Sequence, residues 1–184
     1  MKTLIVPCAG KSSRFPGMKP KYLLTYPDGK LMVEKAIEGI ELRDFDRIII
    51  TIVKEHEEMY DARIILEQIF GNQSKFEIVV LDSFTSSQSE TIALTLDKAK
   101  VEGEFWVKDS DNYVKAPIGE ANAIVGLNIG TYDHEINRLG TKSFLIVNEQ
   151  KNIVDIIEKK ITSQYICIGV YGFEDTSVFM ETEH

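Results

Sequence analysis

The 184-residue chain contains no run of 18 or more apolar residues, so no segment is predicted to span a membrane as a helix. The apolar stretch near the N-terminus covers only about six residues before Gly10 and Lys11, too few for a secretory leader. Only two cysteines are present, Cys8 and Cys167, which excludes a disulfide scaffold and predicts a reduced, cytoplasmic setting. The three histidines (His56, His134, His184) have no neighbouring His or Cys at ligand spacing, which argues against a zinc site. No internal repeat, low-complexity tract or linker divides the chain. With 43% hydrophobic and 27% charged residues, the composition is that of a globular protein with one sizeable core.

The net charge of −8 conceals an asymmetry. Residues 1–35 carry seven basic and two acidic side chains, and the remainder carries −13. An acidic protein with one basic segment is a poor general nucleic-acid binder, but it suits a small polyanion held at one place.

The first two-thirds alternate between strand and helix patterns. Strands are predicted at 3–6, 47–53, 76–81 and 104–107. Helical spacing joins Met32, Val33, Ala36, Ile37 and Ile40, and again Met59, Ala62, Leu66 and Phe70, the latter stopped by Gly71-Asn72. Ser87 and Glu90 have capping-box spacing ahead of a third helix. Residues 10–30 hold three of the five prolines and read as a loop. Strands dominate thereafter, at 123–129, 143–148, 152–158 and 165–173. This order predicts an α/β fold of Rossmann-like three-layer α/β/α type. Its central sheet is mixed and mostly parallel. Trp106, Tyr165, Tyr171 and Phe173 read as packing residues.

Two segments carry chemistry. The loop after the first strand contains Ala9-Gly10-Lys11-Ser12-Ser13-Arg14 and, further on, Pro20-Lys21. Small residues let backbone amides approach phosphate oxygens, and Arg14 and Lys21 add positive charge. Gly10-Lys11-Ser12 looks like the end of a P-loop, but the glycine required five positions earlier is Ile5. The dinucleotide fingerprint also fails, because Ser12 and Phe15 occupy its later glycine positions. After the fourth strand comes Lys108-Asp109-Ser110-Asp111-Asn112. In extended chain, Asp109 and Asp111 point the same way and suit one hard cation such as Mg²⁺; a turn with Asp and Asn capping amides accounts for the pattern equally well.

Together these segments resemble the nucleotidyltransferases that make nucleotide-activated sugars from sugar phosphates. That family has a strand, an AGxGxR…PK loop, and an acidic DxD-like site about a hundred residues later. Val154-Asp155-Ile156-Ile157-Glu158-Lys159 is similar to its sugar-phosphate-binding segment, and Gly169-Val170-Tyr171-Gly172-Phe173 to the strand that follows. The likeness covers nearly the whole chain in order.

The resemblance implies a single nucleotidyltransferase domain over 1–184. It would transfer a nucleotidyl group from an NTP to a small phosphorylated acceptor with Mg²⁺ as cofactor, releasing pyrophosphate, in supply of surface-polysaccharide precursors such as capsule. By the same resemblance Arg14 and Lys21 would be catalytic. Ala9, Gly10, Lys11, Ser12, Ser13, Gln88, Glu90 and Thr91 would bind nucleotide, Glu158 and Lys159 the acceptor, and Asp109 and Asp111 the metal. Three departures accompany it. Ser12 stands where the family often has Gly, and Lys160 where it usually has Pro. A further metal-binding Asp, expected well beyond 169–173, is not reached before His184, so the expectation is a domain truncated at its C-terminus. Two other readings remain open: a cytidylyltransferase acting on a non-sugar phosphate such as phosphocholine, and a non-catalytic nucleotide- or sugar-phosphate-binding module. The sequence is silent on oligomeric state.

Overall fold

The computed structural model describes all residues except 12–16, 133–135, 137, 183 and 184. The chain forms two compact units: Met1–Ala123 with Tyr171–His184, and Ile124–Val170.

In the first unit, β1 (Thr3–Pro7), β2 (Arg47–Val53), β3 (Phe76–Leu81) and β4 (Phe105–Lys108) are hydrogen-bonded in the order β3-β2-β1-β4, followed by β8 (Tyr165–Phe173). The first four are parallel, with Ile5 opposite both Ile49 and Val107. Every residue of β2 after Arg47 is buried. A strand covered on both faces loses the usual polar alternation and reads as a continuous β-branched run, which is why RIIITIV stands out in the sequence. The helices are α1 (Met32–Glu38), α2 (Lys54–Tyr60), α3 (Ala62–Phe70), α4 (Gln88–Lys98) and α5 (Thr176–Thr182). On one face Ile5, Ile49 and Val107 pack with Ile92 and Leu96 of α4. The period of two along a strand sends Leu4, Val6, Ile48 and Ile50 to the opposite face, where they are also buried.

The segment around Met59 to Phe70 was expected as one helix and is two. Asp61, at φ 52°, breaks it. Asp tolerates the left-handed conformation better than most residues, so the chain turns there at little cost, while Ala62, Leu66 and Phe70 still bury one stripe of α3. Helix α5 was not expected from the sequence. Its Phe179 stands edge-on to Phe105 and Phe173, which stack on each other at 4.8 Å.

Gly172 is required sterically. A Cβ there would lie 2.6 Å from the Trp106 ring, and Trp106 is fully buried with its Nε1–H donated to Glu104. The ring has no free space to yield, so Gly172→Ala is expected to lose about 1–3 kcal/mol of stability, read from a urea-unfolding midpoint.

The second unit is antiparallel. It contains β5 (Ala123–Asn128), β6 (Ser143–Val147), β7 (Ile153–Glu158) and the first part of β8. β6 pairs with β7 (Phe144 opposite Ile157) and with β8 (Phe144 opposite Ile166), and β5 also pairs with β8. Phe144, Val170, Leu145 and Ile166 are its buried apolar residues. The eight strands are thus of mixed direction with a parallel core, the α/β class expected from the sequence.

Candidate functional site

The strand order decides where a ligand can sit. From β1 the chain moves outward to β2 and β3, then returns to the other side of β1 for β4. The loops leaving β1 and β4 therefore diverge and leave a crevice beyond the carboxyl ends of these two strands. A cavity of about 620 Å³ occupies that place. Pro7, Ala9, Gly10 and Lys11 line it from the β1 loop, and Asp109, Ser110 and Asp111 from the β4 loop. The third wall is the start of α4, with Thr85, Ser86, Ser87, Gln88 and Thr91. The volume suits a ligand of nucleotide size.

Each wall is held by ordinary local chemistry. Ser87 caps α4 by accepting from the Glu90 amide at 3.1 Å. The Glu90 carboxylate accepts from the amide and the hydroxyl of Ser86, both at 2.6 Å, and these bonds hold it below the usual carboxylate range. Glu90 therefore serves the helix start and does not line the cavity. Thr91 does line it, with its hydroxyl 2.6 Å from that of Thr85. On the β1 side, the Cys8 amide donates to Thr51 at 2.7 Å. Burial pushes the Cys8 thiol up to about 12 although Ser110 hydrogen-bonds it, so it has no thiolate character near neutrality.

Lys21 opens a short 3₁₀ turn, Lys21–Leu23, whose other two residues, Tyr22 and Leu23, are buried. Two anchored neighbours leave the lysine at the surface in a fixed place. Its Nζ lies 3.1 Å from Oδ2 of Asp111, which comes from 90 residues further along. The pair is partly exposed, so it is worth at most about 1 kcal/mol and opens readily to a competing anion. Gln88 Nε2 donates to Oδ1 of Asp109 at 2.7 Å. Gln88, expected to contact nucleotide, thus also orients a carboxylate. Lys11 stands 5.7 Å over the Phe84 ring.

The Tyr22 anchor rests on His56: the hydroxyl and Nδ1 are 3.2 Å apart. Phe84 stands edge-on to the imidazole at 5.3 Å. Burial lowers the His56 pKa to about 4. The folded protein keeps His56 neutral where the unfolded chain, titrating near 6.5, takes a proton. The stability this gives is complete above pH 6.5 and is lost as pH falls toward 4. Going from pH 7 to pH 5 is expected to remove about 2 kcal/mol from this group. His56→Gln keeps an acceptor for Tyr22 without titrating, so its urea midpoint should fall less over the same interval.

Lys108 is the residue whose importance the sequence reading missed. It ends β4 and is fully buried. Its ammonium donates to the Asp109 carbonyl (2.6 Å), the Asn112 carbonyl (3.0 Å) and Asn112 Oδ1 (2.5 Å). Burial lowers its pKa to about 8, against the pull of Asp109 and Asp111. A lysine closing an otherwise apolar strand, FWVK, was the available signal.

Among the predicted residues, Ala9, Gly10, Lys11, Gln88, Thr91, Asp109 and Asp111 share the cavity, and Lys21 reaches it through Asp111. Ser12, Ser13 and Arg14 lie outside the described residues. Glu158 and Lys159 belong to the second unit, at the end of β7; Lys159 has φ 57° and its amide donates to Lys142 at 2.9 Å. No group of three or more His, Cys, Asp or Glu among the described residues is placed to hold a metal. Two carboxylates on one cavity are still a suitable donor set for Mg²⁺, which commonly takes one or two carboxylates and completes its shell with phosphate and water oxygens.

The sequence matches no protein-family model and no curated protein. Solved structures do share its fold. A nucleoside-diphosphate-sugar pyrophosphorylase from Vibrio cholerae RC9 aligns with a TM-score of 0.74 at 21% identity, over 98% of this chain and 76% of that one. A protein from Bacillus anthracis, assigned as a glucose-1-phosphate thymidylyltransferase and crystallised with sucrose, gives 0.75 at 19% identity, over 100% and 75%. The inositol-1-phosphate CTP transferase of T. maritima gives 0.67 at 17%, over 100% and 74%. The chain therefore has the fold of the sugar-phosphate nucleotidyltransferases.

Proposed function

We propose that this protein is a Mg²⁺-dependent nucleotidyltransferase that joins an NTP to a sugar phosphate, or to a similar small phosphorylated metabolite, with release of pyrophosphate. The observation that carries this reading is the pairing of Lys21 with Asp111 at a nucleotide-sized cavity that Asp109 also lines. Cation and carboxylate side by side are what a metal-bound polyphosphate needs. The lysine meets phosphate oxygens, and the carboxylates meet the ion that accompanies them.

In the reaction, a phosphate oxygen of the acceptor bonds to the α-phosphorus of the NTP. The bond from that phosphorus to the bridging oxygen breaks, and pyrophosphate leaves with both electrons. The protein aligns two mutually repelling anions and offsets the charge that develops on the leaving group. Lys21 and Arg14 do this for the triphosphate, and Lys11 and the Gly10 backbone line its path. Asp109 and Asp111 would hold Mg²⁺, which would supply neutralising charge to the phosphates. On this reading Lys159 takes the acceptor's phosphate and Glu158 one of its hydroxyls. The similar proteins named above act, by their descriptions, on glucose 1-phosphate and inositol 1-phosphate, so the acceptor class spans phosphorylated sugars and other polyols. A cytoplasmic role in supplying surface-polysaccharide precursors is consistent with such a product.

The test is pyrophosphate release with Mg²⁺, each common NTP and dTTP, and a panel of phosphorylated sugars, inositol phosphate and phosphocholine. One NTP–acceptor combination should release pyrophosphate. Nucleotide binding without turnover in any combination would instead indicate a binding module, and NDP as product would indicate a kinase; either result rejects the reading.

A further inference from the structure

We infer that Lys108 is the positioning residue that holds Asp109 and Asp111 toward the cavity as a divalent-cation site. The inference rests on the proposed reading of those two carboxylates. Lys108 itself does not line the cavity, so it acts through the loop and not on the ligand.

The geometry is a three-point clamp. An ammonium has three donors and no acceptor. Here all three are directed at oxygens of one short loop: the Asp109 carbonyl, the Asn112 carbonyl and the Asn112 side chain. The two ends of the loop are thereby drawn to a single buried point. Ser110 and Asp111, between them, are left to line the cavity, as is the side chain of Asp109. Removing the ammonium would take a charged donor from both carbonyls and loosen the loop. The Lys108 charge also sits behind the two carboxylates and offsets their mutual repulsion. Gln88 and Lys21 contact the carboxylates themselves. Groups that orient metal ligands from behind typically change metal affinity 10- to 100-fold when removed.

The experiment measures Mn²⁺ binding to the intact protein by water-proton relaxation, with no nucleotide present. Lys108→Met should weaken Mn²⁺ binding at least about 10-fold. Asn112→Leu, which removes one clamp oxygen, should weaken it in the same direction. Asn112→Asp, which keeps an oxygen for the ammonium, should bind no more weakly than the parent. If Lys108→Met does not fold, judged by circular dichroism, the Leu and Asp variants at 112 carry the decision. A folded Lys108→Met with unchanged Mn²⁺ affinity and only a lower melting temperature would overturn the inference, because that is what a purely structural lysine predicts. A parent protein that binds no Mn²⁺ would overturn it too. Pyrophosphate release is measured separately. Its absence in the parent would reject the proposed activity, while a Mn²⁺ site dependent on Lys108 would still stand.

Discussion

Lys21→Ala is expected to lower pyrophosphate release roughly 100- to 1,000-fold while leaving the fold intact. The lysine stands on a turn already held by the buried Tyr22 and Leu23, and its ion pair with Asp111 is partly exposed. Removing that pair should cost stability by no more than about 1 kcal/mol. The catalytic cost is larger because an ammonium directed at phosphate oxygens works hardest when charge builds on the departing pyrophosphate. Lys21→Arg keeps the charge but spreads it over a planar fork, so it should restore only part of the rate. The check is kcat and KM for the NTP beside a thermal midpoint. Near-normal turnover in a folded Lys21→Ala would remove Lys21 from the mechanism.

Asp109→Asn should have an effect of similar size, roughly 100- to 1,000-fold, and is the cleaner test of the metal reading. The amide has the shape of the carboxylate and can still meet Gln88 through its oxygen, so the 2.7 Å bond to Gln88 need not be lost. What disappears is the negative charge that a hard cation requires. Activity should therefore stay low at saturating NTP and need more Mg²⁺ for whatever remains. If Asp109→Asn instead works normally at the usual Mg²⁺ concentration, the carboxylate serves only to close the turn. The two substitutions touch one connected group, Gln88–Asp109 on one side and Lys21–Asp111 on the other. Their effects should therefore not add in the double variant.

Strands whose burial is set by their own residues were legible in advance. β2 is a run of β-branched residues because it lies between two parallel neighbours, and all four residues of β4, parallel to β1, are buried. The start of α4 was legible because Ser87 and Glu90 act within one turn of chain. The break at Asp61 was not, since an Asp inside a helical pattern looks the same whether or not the backbone turns left-handed there. Helix α5 was not either: its short apolar spacing gains meaning only from packing against Phe173, just before it on β8, and Phe105, on a strand far away in sequence.

The candidate site divides along the same line. The small-residue loop, Lys21 and the Asp109–Asp111 pair were singled out by residue type, spacing and the family resemblance, and Ala9, Gly10, Lys11, Asp109 and Asp111 line one cavity. Glu90, read both as a capping-box residue and as a nucleotide contact, accepts from Ser86 outside the cavity lining. Gln88 reaching Asp109, Lys21 reaching Asp111 and Lys108 clamping residues 109–112 are all outcomes of assembly.

By itself the sequence determined the strands and most of the helices, their order, and which residue types could serve a polyphosphate. Only the tertiary structure decided that the β1 and β4 loops line one cavity. Strand order reverses at β1, and that reversal brings together charges some ninety residues apart that no local pattern connects.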